Sequence, residues 1–172
     1  DHGHENNPNL PRWEDSRTNS GFNSRMMELQ GAVGLAQLKK LDYIVQSQRK
    51  NKEYLWNSIN DIKGIELRSI PSGSYETADA LVFFVPTREL AKKCRENLLD
   101  NGLSTKILPE AFTWHFAGTW THMKELIESH KNNLKNDLFQ SYELLSRAVA
   151  IPITVKDQSE FASPLRNSIV NV

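Results

Sequence analysis

Gly21-Phe22-Asn23-Ser24-Arg25-Met26-Met27-Glu28-Leu29-Gln30-Gly31-Ala32-Val33-Gly34-Leu35-Ala36-Gln37-Leu38-Lys39-Lys40-Leu41 joins a polar loop to a stretch of unusually small side chains. Met26, Leu29, Val33, Ala36 and Leu38 recur near the helical period, while Gly31, Ala32, Gly34 and Ala36 leave one side almost without bulk. Two glycines inside a helix cost about 1 kcal/mol each relative to alanine, so the pattern predicts a core helix that a neighbouring backbone approaches closely. Asn23 and Arg25 stand at its mouth, where free backbone N–H groups and the positive end of the dipole favour an anion. Asn23 serves there either as an anion contact or as a plain helix cap.

Working outward, residues 1–20 are crowded with Asn, Pro, Ser and charges and read as a long loop. Downstream, Asp42 is a candidate N-cap for a second helix reaching about Asp61, with Ile44, Leu55, Ile59 and Ile62 inward and Arg49, Lys50 and Lys52 toward solvent. Strands are expected at Ile65 to Ile70 and Ala78 to Val85, then a helix from Arg88 to Asn101 ended by Gly102. Ser104 to Leu108 reads as a third strand, which completes a β-β-α-β unit packed with helices. Further helices are expected at Met123 to His130 and Leu134 to Ala148, and Ile151-Pro152-Ile153 reads as the start of an extended tail.

A chain of 172 residues with 38% hydrophobic side chains and a mean hydropathy of −0.55 suits one ordinary core. Its 21 basic and 21 acidic residues balance without a block of one sign, which argues against a nucleic-acid stripe and a membrane-surface patch. Neither a membrane-length apolar run nor a secretory leader is evident. Cys94, the one cysteine, excludes an intrachain disulfide and reads as a small core residue. The opening Asp1-His2-Gly3-His4-Glu5 lacks an initiator methionine and resembles the middle of a loop, so a fragment of a longer protein is expected.

His2, His4 and Glu5 are adequate chemistry for zinc, yet no second ligand group follows at a recognisable distance, and no metal is expected. His122 and His130 are expected on a helix, facing solvent. His115, within Trp114-His115-Phe116-Ala117-Gly118-Thr119-Trp120, is either a general acid/base or substrate hydrogen-bonder, or one imidazole in an aromatic cluster. Lys106, after a strand, is the least implausible lysine for Schiff-base chemistry.

Gly21-Phe22-Asn23-x-Arg25-Met26-x-Glu28-Leu29-Gln30, followed by Gly34-Leu35-Ala36-Gln37-Leu38 and Leu41, resembles the signature of the pyridoxal-phosphate-dependent sugar aminotransferases of the DegT/StrS group. Ser24 departs where an aromatic residue is usual, and Met27 where threonine or serine commonly opens the helix. The resemblance implies an α+β fold, the C-terminal small domain of a fold-type-I aminotransferase with a short, mainly antiparallel sheet. Residues 1–22 would be an active-site loop entering from a large domain, and residues 23–172 the small domain with its linking helices. It further implies that Asn23 reaches the phosphate of pyridoxal 5'-phosphate across a homodimer interface, that Arg25 either orders that loop, meets an anionic substrate group or makes a structural salt bridge, and that His115 lies close to the substrate pocket as a substrate-binding candidate. The Schiff-base lysine would lie upstream, so no catalytic residue is named and the isolated chain is expected to be inactive.

The implied reaction moves an amino group from L-glutamate to a keto or aldehyde sugar in the cytoplasm. More narrowly, His2-Gly3-His4-Glu5-Asn6-Asn7-Pro8-x-Leu10-Pro11-Arg12, the Trp114 to Trp120 stretch, and Leu145-Ser146-Arg147-Ala148-Val149 with Ile151-Pro152-Ile153 are similar to 8-amino-3,8-dideoxy-manno-octulosonate transaminases. Those enzymes aminate a keto-acid sugar of lipopolysaccharide. Two alternatives stay open: a pyridoxamine-phosphate sugar dehydratase, in which histidine replaces the upstream lysine, and a non-catalytic dimerisation or regulatory module.

Overall fold

A computed structural model describes Asn9 and residues 26–131 and 133–170. They fall in two compact units, Asp1–Lys40 and Leu41–Val172. In the first, α1 (Glu28–Leu38) forms over the small-residue stretch, and the Met27 N–H donates to Gln30 Oε1 at 2.9 Å. Gln30 thereby satisfies a first-turn donor that a threonine or serine hydroxyl would otherwise not reach. The apolar residues Leu29, Val33, Leu35 and Leu38 are exposed, and a Cβ built on Gly34 meets nothing within 4 Å among the described residues.

The second unit opens with α2 (Leu41–Asn57). Asp42 therefore lies inside the first turn rather than capping it, where its charge still favours the positive end of the dipole. Leu55 and Ile59 carry the buried side of this segment, although Ile59 already lies in the turns beyond the helix. Next come β1 (Glu66–Leu67), β2 (Ala80–Phe84) and α3 (Arg88–Asp100). Thr87 caps α3 by accepting the Leu90 N–H at 3.2 Å. Gly102, at φ +78°, closes it: its N–H bonds the Leu99 carbonyl and the Leu103 N–H bonds that of Leu98. That is a Schellman arrangement, with Leu103 packed into the same core as Leu98.

Short helices follow, α4 (Phe112–His115), α5 (Lys124–Ser129), α6 (Leu134–Asp137) and α7 (Phe139–Ser146), then β3 (Ala148–Pro152) and α8 (Ala162–Val170). The sheet order is β1-β2-β3, antiparallel throughout, with Leu81 opposite Ile151, Val82 opposite Ala150 and Phe83 opposite Val149.

The third strand is thus residues 148–152 and not 104–108. The Leu108 N–H bonds the Lys106 carbonyl at 2.8 Å and Ile107 sits at φ +74°, a γ-turn that bends the chain out of extended geometry. What remains of the expected pairing is two bonds to β3, Lys106 N–H to Ala150 O at 2.6 Å and Ala150 N–H to Leu108 O at 3.1 Å. The helix expected over 134–148 is broken at Leu138, and α8 occupies what reads in sequence as an extended tail. His122 and His130 both lie outside α5, and His130 Nδ1 is 2.8 Å from Asp137 Oδ2.

Side-chain alternation gives the sheet two apolar faces. Leu81, Phe83, Val149 and Ile151 pack with Leu55, Cys94, Leu98, Leu165 and Ile169 from α2, α3 and α8 and with Ile59 from the turns after α2. Ala148 and Ala150 face the other way with Leu108, packed against Val82, Phe84, Phe112 and Leu145. No described helix is long and apolar enough to cross a membrane.

Candidate functional site

The second sheet face floors a cavity of about 510 Å³, within the range of small-molecule sites. Val82 and Phe84 of β2 and Ala148 and Ala150 of β3 form its floor, and Leu108 with Leu144 and Leu145 of α7 its walls. Two of the β3 positions on this face, Ala148 and Ala150, are alanines, and a larger aliphatic side chain at either would intrude on the space. Arg68, Asp79, Lys106 and His115 supply ionisable groups to its lining.

His115 is the last residue of α4, and the next residue, Phe116, is 1% exposed. The Phe116 ring stacks on Phe112 at 5.3 Å and meets Tyr142 edge-on at 5.5 Å. This aromatic cluster anchors the segment, while His115 itself is exposed and borders the cavity. Phe116 packs within the aromatic cluster, and His115 stands outside it at the border of the cavity. Among the described residues the imidazole has no hydrogen-bond partner.

On the Lys106 side, its ammonium bonds the Asp79 carboxylate and also the Asp79 carbonyl at 3.4 Å. That hydrogen bond holds the Asp79 carboxyl below its usual range against a smaller opposing effect of burial, and Arg68 adds to it through space. Arg68 Nη2 donates to Glu76 Oε1 at 2.8 Å, whose other oxygen takes Lys52 Nζ at 2.5 Å. Lys52 is 8% exposed, and half-buried Arg49 donates to the Glu76 carbonyl at 2.7 Å while lying 3.5 Å from the Tyr75 ring centroid. Of the three basic residues expected toward solvent on α2, only Lys50 is fully so.

Arg68, Asp79 and Glu76 escape a sequence reading because single charges beside strands carry no motif; the signal available is the position of Arg68 and Asp79 at the ends of β1 and β2. Lys106, the lysine that lines this cavity, is ion-paired with Asp79 in the structure. Asn23, Arg25, His2, His4 and Glu5 lie outside the described residues. Among the described residues no three metal-ligating side chains converge. Lys106 is the lysine among the residues lining the cavity, so any lysine chemistry there falls to a side chain already paired with Asp79.

Comparison with known proteins adds identity to this geometry. GDP-4-keto-6-deoxy-D-mannose 3-dehydratase from Escherichia coli is 28% identical over 116 residues, 67% of this chain and 29% of the relative. A crystal structure of GDP-4-keto-6-deoxymannose-3-dehydratase with a trapped PLP-glutamate geminal diamine superposes with a TM-score of 0.64 at 19% identity, over 87% of this chain and 37% of that one. The sugar aminotransferase CalS13 from Micromonospora echinospora gives 0.59 at 17% identity, over 88% and 37%. At those identities the structures establish a shared fold. The chain spans less than a third of the curated relative's length and under two fifths of the two solved structures. The sequence profile of the DegT/DnrJ/EryC1/StrS aminotransferases matches residues 1–167, and the chain belongs to that family.

Proposed function

We propose that this chain is the C-terminal part of a pyridoxal-phosphate-dependent sugar aminotransferase that moves an amino group from L-glutamate to a keto or aldehyde sugar, with 3,8-dideoxy-8-oxo-manno-octulosonate the favoured acceptor. The observation that carries the reading is His115, unpartnered among the described residues, at the edge of an apolar-floored cavity in a chain of this family. In this reading residues 1–22 enter from the large domain and residues 23–172 form the small domain of a cytoplasmic homodimer with shared active sites. Pyridoxal phosphate, when bound, supplies the electron sink for amino transfer. Asn23 contributes an amide donor to its phosphate, and Arg25 an ionic contact to substrate. His115 offers the substrate a hydrogen bond from a position fixed by the buried Phe116 ring.

A dehydratase is the second reading, favoured by the names of the curated relative and of one superposed structure. The complete enzyme separates the two: an aminated sugar with 2-oxoglutarate as co-product supports the first, and a deoxygenated sugar the second. For the site, Asn23→Ala is expected to weaken cofactor retention with the fold intact, and unchanged cofactor affinity removes Asn23 from the phosphate.

A further inference from the structure

Lys106 precedes a constrained stretch of backbone. Ile107, directly after it, is β-branched and adopts φ +74°, a conformation that costs such a residue about 1–3 kcal/mol and persists only where its surroundings impose it. Three backbone bonds impose it here: Lys106 N–H to Ala150 O, Ala150 N–H to Leu108 O, and Ala111 N–H to Ile107 O at 2.6 Å. The facing partner is similar, since Asp79 follows Ala78 at φ +60° with a 1% exposed side chain. Two strained positions therefore flank one ion pair on the lining of the cavity that His115 borders.

The charges there do not cancel. Arg68 and Lys106 bring two positive charges to the cavity and Asp79 one negative, which leaves one positive. Behind them Glu76 bonds both Lys52 and Arg68 and its carbonyl takes Arg49, so the connected group of four cations and two carboxylates stays net positive. The Lys106 and Asp79 side chains are 33% and 61% exposed, and an exposed pair of this kind opens at little cost. An anionic group arriving from the cavity is drawn to that excess. The floor is apolar and suits C–H faces, so the acid group belongs at this corner and the carbon chain along β2 and β3.

Resting on the aminotransferase reading for the identity of the ligand, we infer that Lys106, backed by Arg68, is a specificity residue that receives a substrate carboxylate in the cavity bordered by His115. Two sources offer that group, the acceptor sugar acid and the amino donor glutamate.

The test uses the complete enzyme as wild type, Lys106→Met and Lys106→Arg. Calorimetry measures binding of an eight-carbon 3-deoxy-2-keto sugar acid, of its carboxamide and of L-glutamate, and KM and kcat are taken for each half-reaction separately. Loss of a charge-assisted contact predicts about tenfold to hundredfold weaker binding or higher KM for one carboxylate ligand in Lys106→Met. The carboxamide is unchanged, kcat is little changed, and Lys106→Arg restores binding. Which ligand suffers identifies the source. Acid and carboxamide affected alike, or neither carboxylate affected, overturns the inference. The two proposals fail separately: Lys106-dependent acid binding without amino transfer sinks only the aminotransferase reading, and amino transfer to a nucleotide-linked sugar indifferent to Lys106 sinks only this one.

Discussion

Lys52 on α2 and Glu76 in the β1–β2 connection meet at 2.5 Å, both largely removed from solvent, with 10% and 19% of their side chains exposed. Arg68 takes the second carboxylate oxygen at 2.8 Å, so a single acid ties the helix to the end of β1. Burial pushes the Glu76 carboxyl up, but the bonds and charges of Lys52 and Arg68 outweigh it and the net shift is downward. A lowered folded value contributes stability that is present above the unfolded value and is lost as pH falls through the folded one. Glu76→Gln should therefore destabilise by about 1–3 kcal/mol at neutral pH and flatten the acid limb of the stability profile, read by urea unfolding between pH 7 and 3.

Cys94 faces the opposite situation. It is fully buried on α3 and its thiol is pushed up to about 12 by burial alone, so at pH 8 only about one in ten thousand is ionised. Native protein should not react with a thiol-specific chromogenic disulfide on the minutes scale, and one equivalent should react once it is unfolded. Cys94→Ser, which puts a hydroxyl in that core, should cost about 1–3 kcal/mol by denaturant titration.

Gly118 is held by space. A Cβ there would fall 2.4 Å from the Phe116 ring and 3.1 Å from the Lys135 backbone, and the ring, buried between Phe112 and Tyr142, has nowhere to go. Gly118→Ala should destabilise by about 1–3 kcal/mol. Because Phe116 positions His115, the same variant should raise the KM for the acceptor sugar in the complete enzyme.

His115→Ala should lower kcat/KM for the acceptor by about tenfold to a hundredfold with the unfolding midpoint nearly unchanged, since the side chain is exposed. A matched loss of stability would instead make His115 a packing residue.

Much of the helix-covered half of the fold is legible in sequence, because Leu90, Ala91, Cys94 and Leu98 repeat at a helical interval and Gly102 stops the run. The misplacement of the third strand has a physical cause. Residues 104–108 have the apolar content of a strand, but whether Ile107 turns back is decided by its bonds around β3, more than forty residues away. Pro152, which looks like the start of a tail, is tolerated as the last residue of an edge strand. At the site, His115 is visible because its neighbours are conspicuous. The Arg68, Asp79 and Lys106 corner is assembled from three separate segments and has no local pattern to read.

The alternation along β3 has a further consequence for how such a chain changes over time. Val149 and Ile151 serve the helical core while Ala148 and Ala150 floor the cavity, so a substitution at one set leaves the other physically untouched. Ala150→Leu should occlude the floor and exclude ligand, whereas Val149→Ala should chiefly lower the melting temperature. Shape of the binding space and durability of the domain are written on alternate residues of one strand, and selection can adjust either independently.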